Sequence, residues 1–286
     1  MKEIVFKTAK TAGNILVMMT IMVIAQLAGN MVGGFVPIPL LGECAGAVAY
    51  VSIALLLGLA YARYVLHIGA TELGVKKNMP DIRWLLVGIA LPSIVSLFYL
   101  VCTEGQLIRK DSAPEALSTI AYAVFTVGVG GGIVEEFIFR GLIMRMMEKN
   151  WGKVAAIFVP SLLFGLSHLA NLPTWHLLDA LLLIAAGTMV GVMFSIIAYY
   201  SKSIWSSALV HGLWNMIIIG GILEIGSLDF GMSADSIWQY QVSAKSLLLT
   251  GGQFGIEAAL PAIVGYGVVS VAAVYICKKA DKSVLG

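Results

Sequence analysis

Long apolar runs set the strongest constraint on the fold of this chain. About eight of them approach the roughly 20 residues that an α-helix needs to cross the hydrocarbon core of a bilayer. Of the 286 residues, 59% are hydrophobic and only 12% are charged, whereas about a quarter of the residues in a soluble domain are charged. The sequence therefore predicts a single all-α domain over 1–286, a polytopic bundle of about eight transmembrane helices. The runs lie at 12–35, 44–66, 84–102, 116–144, 154–170, 177–200, 204–224 and 257–277.

The charges between the runs predict how the helices are oriented. Lys and Arg collect in the short loops on the cytoplasmic side. Here the N-terminus and every even-numbered connection are basic, for example at Lys76, Lys77 and Arg145, and the odd-numbered connections are acidic or neutral. Eight helices with both termini in the cytoplasm satisfy the whole alternation. Because the first run is too long for the apolar core of a signal peptide, we also expect no cleaved leader.

Charged residues interrupt the fourth apolar run. Glu135, Glu136 and Arg140 stand there in otherwise apolar sequence. A charge inside a bilayer is costly by a few kcal/mol or more, so intramembrane acids and bases are candidates for a functional site. Glu136 and Arg140 are four residues apart, hence on one helix face, where they can form a buried structural pair. Glu135 lies about 100° around the helix. A carboxylate without a partner in such a site can act as a general base, so Glu135 is the better catalytic candidate.

Two further helices carry polar residues at a matching depth. The fifth run contains Phe164 and His168, and the seventh contains His211 and Asn215. With a rise of about 1.5 Å per residue, Glu135 and Asn215 lie about 18 Å from the assumed cytoplasmic ends of their helices. His168 lies about 22 Å and His211 about 12 Å from theirs. We therefore expect these four polar groups to meet in one layer, with Phe164 packed against it.

These residue types can together hydrolyse an amide bond with water as the nucleophile. A carboxylate beside an imidazole can deprotonate water, and an imidazole and a carboxamide can donate hydrogen bonds to the oxyanion. Glu135, His168 and His211 can instead bind zinc and leave one position open for water. The residues by themselves leave both mechanisms open. The motifs of other intramembrane proteases, HExxH, GxGD and a GxSG-like serine with a partnered His, are absent from the sequence.

The three polar motifs, in this order and on separate helices, resemble those of the CPBP family. This family comprises CAAX proteases and bacteriocin-processing endopeptidases and is often labelled Abi. The resemblance covers about residues 120–220, inside a catalytic core expected over about 116–224. The matching motifs are EExxxR at Glu135, Glu136 and Arg140, FxxxH at Phe164 and His168, and HxxxN at His211 and Asn215.

The resemblance implies a role for each polar residue. Glu135 would activate water with the help of His168, while His211 and Asn215 would stabilise the oxyanion, and no cofactor would be needed. It also implies a peptide or a lipidated membrane protein as the substrate and a prokaryotic cytoplasmic membrane as the location, with a leader or signalling peptide as the first expectation.

A non-hydrolytic role remains the alternative function. Ionisable residues near the membrane midplane also mark proton and substrate paths, so a transporter, a scaffold or an immunity protein can use the same polar cavity. A transporter typically has two related halves, which the sequence does not show. The basic residues are spread along one membrane face, so no nucleic-acid partner is expected.

Two further segments carry expectations about structure, a cluster of glycines and a long connection. The glycines at 128 and 130–132 can give close helix contact or a local break that opens a water path to Glu135, and the break is the slightly favoured interpretation. The long connection 225–256 is expected to lie along the outer membrane interface through Trp238 and Tyr240.

Overall fold

The computed structural model describes residues 1–75, 80–110, 113–230, 232 and 235–284. Helices dominate it, which confirms the all-α class. Lys76 and Lys77, two of the basic residues predicted to face the cytoplasm, lie outside the described residues. The α-helices are α1 (Lys2–Gly34), α2 (Pro39–Tyr61), α3 (Ile82–Cys102), α4 (Ala113–Ala121), α5 (Gly132–Glu136), α6 (Met144–Ser167), α7 (Leu177–Ser201), α8 (Ile204–Trp214), α9 (Leu247–Thr250) and α10 (Leu260–Val284).

The apolar runs form helices of membrane-spanning length. Among the described residues, six helical stretches are long and apolar enough to cross a membrane. Gly152, with φ 80° and ψ −178°, interrupts the longest of them between the fourth and fifth predicted spans. The chain is therefore a multi-pass membrane protein, whereas eight crossings and cytoplasmic termini stay predictions. The stretches are Lys2–Gly34, Pro39–Leu66, Ile82–Cys102, Glu115–Asn171, Leu177–Ser201 and Leu260–Lys278, with a shorter apolar helix at Ile204–Ile219.

Wide π-helical turns surround the short helix α5. They cover Tyr122–Gly131 before it and Phe137–Ile143 after it, and another, Asn215–Ile219, follows α8. A π turn holds more residues than an α turn, so it rotates the side chains that follow it relative to a regular helix. Such turns are frequent at functional sites. The direction in which Glu135 points therefore depends on the π segments as well as on the regular helical period.

Glycines allow the first two helices to approach closely. A Cβ on Gly29 would lie 2.8 Å from the carbonyl oxygen of Gly46, and one on Gly33 would lie 2.9 Å from that of Gly42. Real Cβ atoms do not approach backbone this closely, so only glycine fits at these positions. This small-residue contact is typical of membrane helices, where packing replaces the hydrophobic effect as the source of association. It fixes α1 against α2 on one side of the bundle.

A small sheet covers the end of the bundle where the chain leaves α3 and α8. Strand β1 (Gly105–Arg109) runs antiparallel to β3 (Trp238–Val242), and β2 (Leu223–Gly226) runs parallel to β3, in the order β1-β3-β2. Tyr240 is buried and donates a hydrogen bond to the carbonyl of Thr103 at 2.7 Å. Tyr240 is therefore held inside the protein, because the connection folds back into a sheet that the hydropathy pattern did not indicate. The position of this connection at the membrane interface stays a prediction.

Candidate active site

Close packing of glycines holds the Glu135 helix against α8. A Cβ on Gly132 would lie 2.8 Å from the Cα of Gly212, and one on Gly212 would lie 2.7 Å from the carbonyl oxygen of Gly128. The backbone from Tyr122 to Glu136 stays helical throughout. The favoured interpretation of a local break is therefore wrong, and the glycines at 128 and 132 serve close helix contact.

Because of this contact, we predict that position 212 does not tolerate a methyl group. We expect Gly212→Ala to lower the melting temperature of the purified protein, because overpacking against backbone costs about 1–3 kcal/mol. Gly13→Ala in α1 is the matched control, since nothing lies within 4 Å of a Cβ there and Ala favours the helix by roughly 0.5–1 kcal/mol. Equal melting temperatures for Gly212→Ala and the unaltered protein would contradict the packing described here.

The predicted pair of Glu136 and Arg140 is present and fully buried. Nη1 of Arg140 donates to Oε1 of Glu136 at 2.8 Å, and neither side chain is exposed. Nη2 of Arg140 donates to the carbonyl of Gly191 at 3.0 Å, and the guanidinium lies 4.8 Å from the ring centroid of Phe164 and 5.4 Å from that of Phe194. The charge is thus neutralised by a carboxylate and enclosed by aromatic rings. The arrangement ties α6 and α7 to the segment that carries Glu135.

His211 lies between the two adjacent carboxylates. Its Nδ1–H donates to Oε1 of Glu136 at 2.9 Å, and its Nε2 lies 3.9 Å from Oε2 of Glu135. The ring stacks on Phe194 with a centroid distance of 4.5 Å and an interplanar angle of 16°. Glu136 therefore orients the imidazole as well as pairing with Arg140. The motif spacing indicated the ion pair with Arg140 but not this bond across helices.

Glu135 presents a carboxylate oxygen that no described group satisfies. Its side chain is 24% exposed, and Oε2 is buried with no hydrogen-bond partner among the described residues. A Cβ on Gly131 would lie 3.7 Å from Oε1 of Glu135 and 3.5 Å from Nδ2 of Asn215, so this glycine leaves open space between carboxylate and amide. Nδ2 of Asn215 donates to the carbonyl of Val127 at 3.0 Å. Since a carboxamide nitrogen has two protons, a second donor is left for a ligand.

His168 joins the site through Phe164. Its Nδ1–H donates to the carbonyl of Phe164 at 2.8 Å, which leaves Nε2 with the lone pair that a base requires. The Phe164 ring centroid lies 4.5 Å from that of His168 and 5.7 Å from that of His211. Phe164 therefore packs between the two imidazoles, as the sequence predicted. Six of the seven predicted site residues are linked by contacts, and Asn215 lies near Glu135 across Gly131, although the structure gives His168 no direct contact with Glu135.

The described residues contain no group of three or more His, Cys, Asp or Glu side chains placed to hold a metal ion. The alternative zinc ligands Glu135, His168 and His211 therefore do not form such a group in this arrangement. The two imidazoles are separated by the Phe164 ring, and Nδ1 of His211 is bonded to Glu136. Independence from metal stays a prediction about the activity.

Sequence reasoning missed Glu257 as a neighbour of the site. It lies in the turn Ile256–Ala258, just before α10 and outside the spanning helices. Burial raises the pKa of its carboxyl to about 8, the charge of Glu135 adds to this effect, and a hydrogen bond from Trp214 opposes it. The side chain is therefore largely protonated at neutral pH. No motif marks this residue, because its approach to Glu135 depends on how the 251–259 turn folds back over the bundle.

Two cavities adjoin the polar centre without being lined by its proposed catalytic residues. One, of about 570 Å³, lies beside the sheet and is lined by Ile225, Phe254 and Glu257 among others. The second, of about 420 Å³, is almost entirely apolar and lies where Gly128 meets Gly212. The Phe254 ring centroid lies 6.0 Å from that of His168, so the first cavity shares a neighbouring residue with the site.

The buried polar centre and the helical bundle define a multi-pass membrane protein with a candidate active site between its helices. Residues 117–217 match the family model of the type II CAAX prenyl endopeptidases, described as Rce1-like. This segment contains all three motifs. Over this segment, which is less than half of the chain, the protein is similar to the CAAX-protease (CPBP) family of proteases, in agreement with the motifs. No curated protein and no solved structure matches the chain.

Proposed function

We propose that the protein is an intramembrane endopeptidase of CPBP type that hydrolyses a peptide bond in a membrane-associated peptide or protein. The observation that carries this proposal is the buried Oε2 of Glu135, which has no hydrogen-bond partner in the described part of the chain and lies 3.9 Å from Nε2 of His211. This distance is too long for a hydrogen bond. The carboxylate is therefore not tied to the imidazole, and its oxygen is available to a water molecule.

The proposed reaction assigns one role to each polar group. Glu135 removes a proton from water as the oxygen attacks the substrate carbonyl carbon, and His168 assists through its free Nε2. The carbonyl oxygen becomes an oxyanion, which the second amide proton of Asn215 and the Nε2–H of His211 stabilise. The Nε2–H requires the imidazolium form of His211, because Nδ1–H already donates to Glu136. Glu135 then returns the proton to the leaving amine as the tetrahedral intermediate collapses. Glu136 and Arg140 position His211 and take no part in proton transfer.

The charge around the larger cavity favours an internal peptide segment over a free carboxyl-terminal tail. Its described lining includes the carboxyl groups of Glu43, Glu224, Asp235 and Glu257 and no Lys or Arg side chain. Apart from the largely protonated Glu257, these groups would present like charges to a terminal carboxylate, and the described lining offers it no Lys or Arg side chain. We therefore propose a leader or signalling peptide, processed at the cytoplasmic membrane of a prokaryote. The apolar cavity at Gly128 and Gly212 supports a lipidated substrate as the second candidate.

The experiment that tests the proposed function compares the peptides of membranes that contain the unaltered protein with those that contain Glu135→Ala. We expect at least one peptide end that depends on Glu135, and the mass of that peptide reports whether it carries a lipid. Identical peptide populations, together with binding of a peptide by the purified protein, would favour the non-hydrolytic alternative.

We expect cleavage to persist without bound zinc. The residue four positions after His211 is Asn215, whereas a zinc-binding pair at this spacing would more usually contain a second His or a Glu. The measurement is cleavage before and after treatment with a strong chelator, alongside the metal content of the purified protein. Stoichiometric zinc that is lost together with activity, and that restores activity when added back, would show that the expectation is wrong.

A further inference from the structure

We propose that the substrate binds in extended form as an additional strand on the free edge of β2. This inference rests on the proposed function, because it names how the peptide is held beside the candidate active site. Addition of a peptide strand to a sheet edge is a general mode of recognition in which main-chain hydrogen bonds supply affinity.

The pairing of the sheet identifies which groups of β2 are free. The N–H of Trp238 in β3 donates to the carbonyl of Ile222 at 3.1 Å. Successive residues of a strand direct their N–H and C=O groups to opposite edges, so Ile222, Glu224 and Gly226 face β3 while Leu223 and Ile225 face away from it. Among the described residues, no group bonds to the N–H of Leu223 or Ile225.

The free edge is buried at Ile225 and partly buried at Leu223. Ile225 is only 5% exposed, and it lines the 570 Å³ cavity. A buried N–H without a partner costs free energy comparable to a lost hydrogen bond, and more than nine in ten such groups in proteins are paired. A peptide strand in the cavity would supply the missing partners.

The cavity places that edge beside the polar centre. Phe254 and Glu257 line the same cavity as Ile225. The Phe254 ring centroid lies 6.0 Å from that of His168, and the Glu257 carboxyl lies within electrostatic reach of Glu135. A strand added to β2 would therefore lie in a cavity whose lining includes neighbours of two proposed catalytic residues, His168 and Glu135.

Cleavage inside a membrane requires hydrogen-bond partners for the backbone of the substrate, and the edge of β2 can provide them. In a helical substrate each carbonyl accepts a hydrogen bond from the same helix, so the segment must unwind before water can attack. Unwound backbone in a low-dielectric setting leaves unsatisfied groups that each cost several kcal/mol. The outward N–H and C=O groups of Leu223 and Ile225 would compensate for this loss. The occupant is accordingly the unwound segment next to the scissile bond.

The opposite edge of the sheet offers an internal control. In β1, Lys110 donates to Ile237 and Ser243 donates to Glu104, so Leu107 directs its N–H away from β3 in the same way as Ile225. Leu107 is 53% exposed and lies outside the cavity lining. Proline is tolerated at either position in the sheet, because neither N–H takes part in the ladder.

The test uses an acetylated, amidated decapeptide of Val and Thr with one Lys, prepared in versions that are N-methylated at one residue each. Binding is measured to Glu135→Gln, which is expected to bind without cutting, and cleavage of the same peptides is measured with the unaltered protein. We expect N-methylation at alternate positions to weaken binding roughly tenfold, and the positions between them to be tolerated.

Variants of the protein test the same hydrogen bonds by changing β2 instead of the peptide. Ile225→Pro removes one outward N–H, and we expect roughly tenfold weaker binding. Ile225→Ala keeps the N–H while removing more of the side chain, so it should weaken binding less than Ile225→Pro does. Leu107→Pro removes an N–H at the other edge, outside the cavity lining, and should bind normally. The N-methylated series on the otherwise unaltered sheet remains decisive if Ile225→Pro folds poorly.

The possible outcomes test strand addition at β2 separately from the proposed hydrolysis. Binding that shows no alternation along the peptide, or no binding of the decapeptide, would overturn the strand addition whether or not the protein cuts other peptides. Binding that alternates while the unaltered protein leaves the peptide intact would support the edge and count against the proposed hydrolysis.

Discussion

Glu135→Gln is expected to lower the turnover of peptide cleavage by about 10²-fold or more, while folding and substrate binding are retained. The amide has the shape of the carboxylate and keeps one acceptor oxygen, but it cannot take a proton from water. Oε2 of Glu135 makes no hydrogen bond within the described residues, so the substitution breaks no observed contact. The measurement is single-turnover cleavage together with the melting temperature.

The control for this experiment is a carboxylate that lies outside the site. Glu148 pairs with Arg145 at 2.9 Å near the end of the bundle, and Glu148→Gln should cleave at the normal rate. Near-normal cleavage by a well-folded Glu135→Gln variant would show that Glu135 is not the general base. A loss of cleavage accompanied by a large fall in melting temperature would point instead to a structural role.

The period of the α-helix made a large part of the site predictable. Residues four apart share a face in any helix, so the pairing of Glu136 with Arg140 follows from their spacing alone. The rise per residue likewise placed Glu135, His168 and Asn215 at similar depths, and the structure places all three around the same polar centre, although they do not contact one another directly. These properties are local to each helix and need no knowledge of how the helices pack.

The rotation of one helix against another could not be predicted in this way. His211 bonds to Glu136 because glycines at 128, 132 and 212 bring α5 and α8 into backbone contact. Pairing between residues 75 positions apart depends on that tertiary contact and on the π turns around α5. Glu257 and the edge of β2 were missed for the same reason. Their neighbours are set by connections whose hydropathy carries little information about pairing.

Glu136→Gln is expected to destabilise the protein by about 3–5 kcal/mol, the cost of leaving a buried charge without its partner. Arg140 is entirely buried, and Glu136 is the carboxylate with which it pairs at 2.8 Å. The side-chain amide would still accept a hydrogen bond but would not neutralise the guanidinium. We expect a lower melting temperature and lower expression, with cleavage reduced in the protein that remains folded. Glu148→Gln breaks a partly exposed pair, which typically contributes only about 0–1 kcal/mol.

A double variant separates loss of charge balance from loss of the contact with His211. In Glu136→Gln with Arg140→Met, the uncompensated charge is gone and an apolar side chain lies among the aromatic rings of Phe164 and Phe194. Because uncompensated charge accounts for most of the cost of breaking a buried pair, the melting temperature should recover a large part of the loss. Cleavage should stay low, since the amide holds His211 less firmly than the carboxylate does. A double variant as unstable as Glu136→Gln alone would mean that the bond to His211, rather than the charge of Arg140, dominates the contribution of Glu136 to stability.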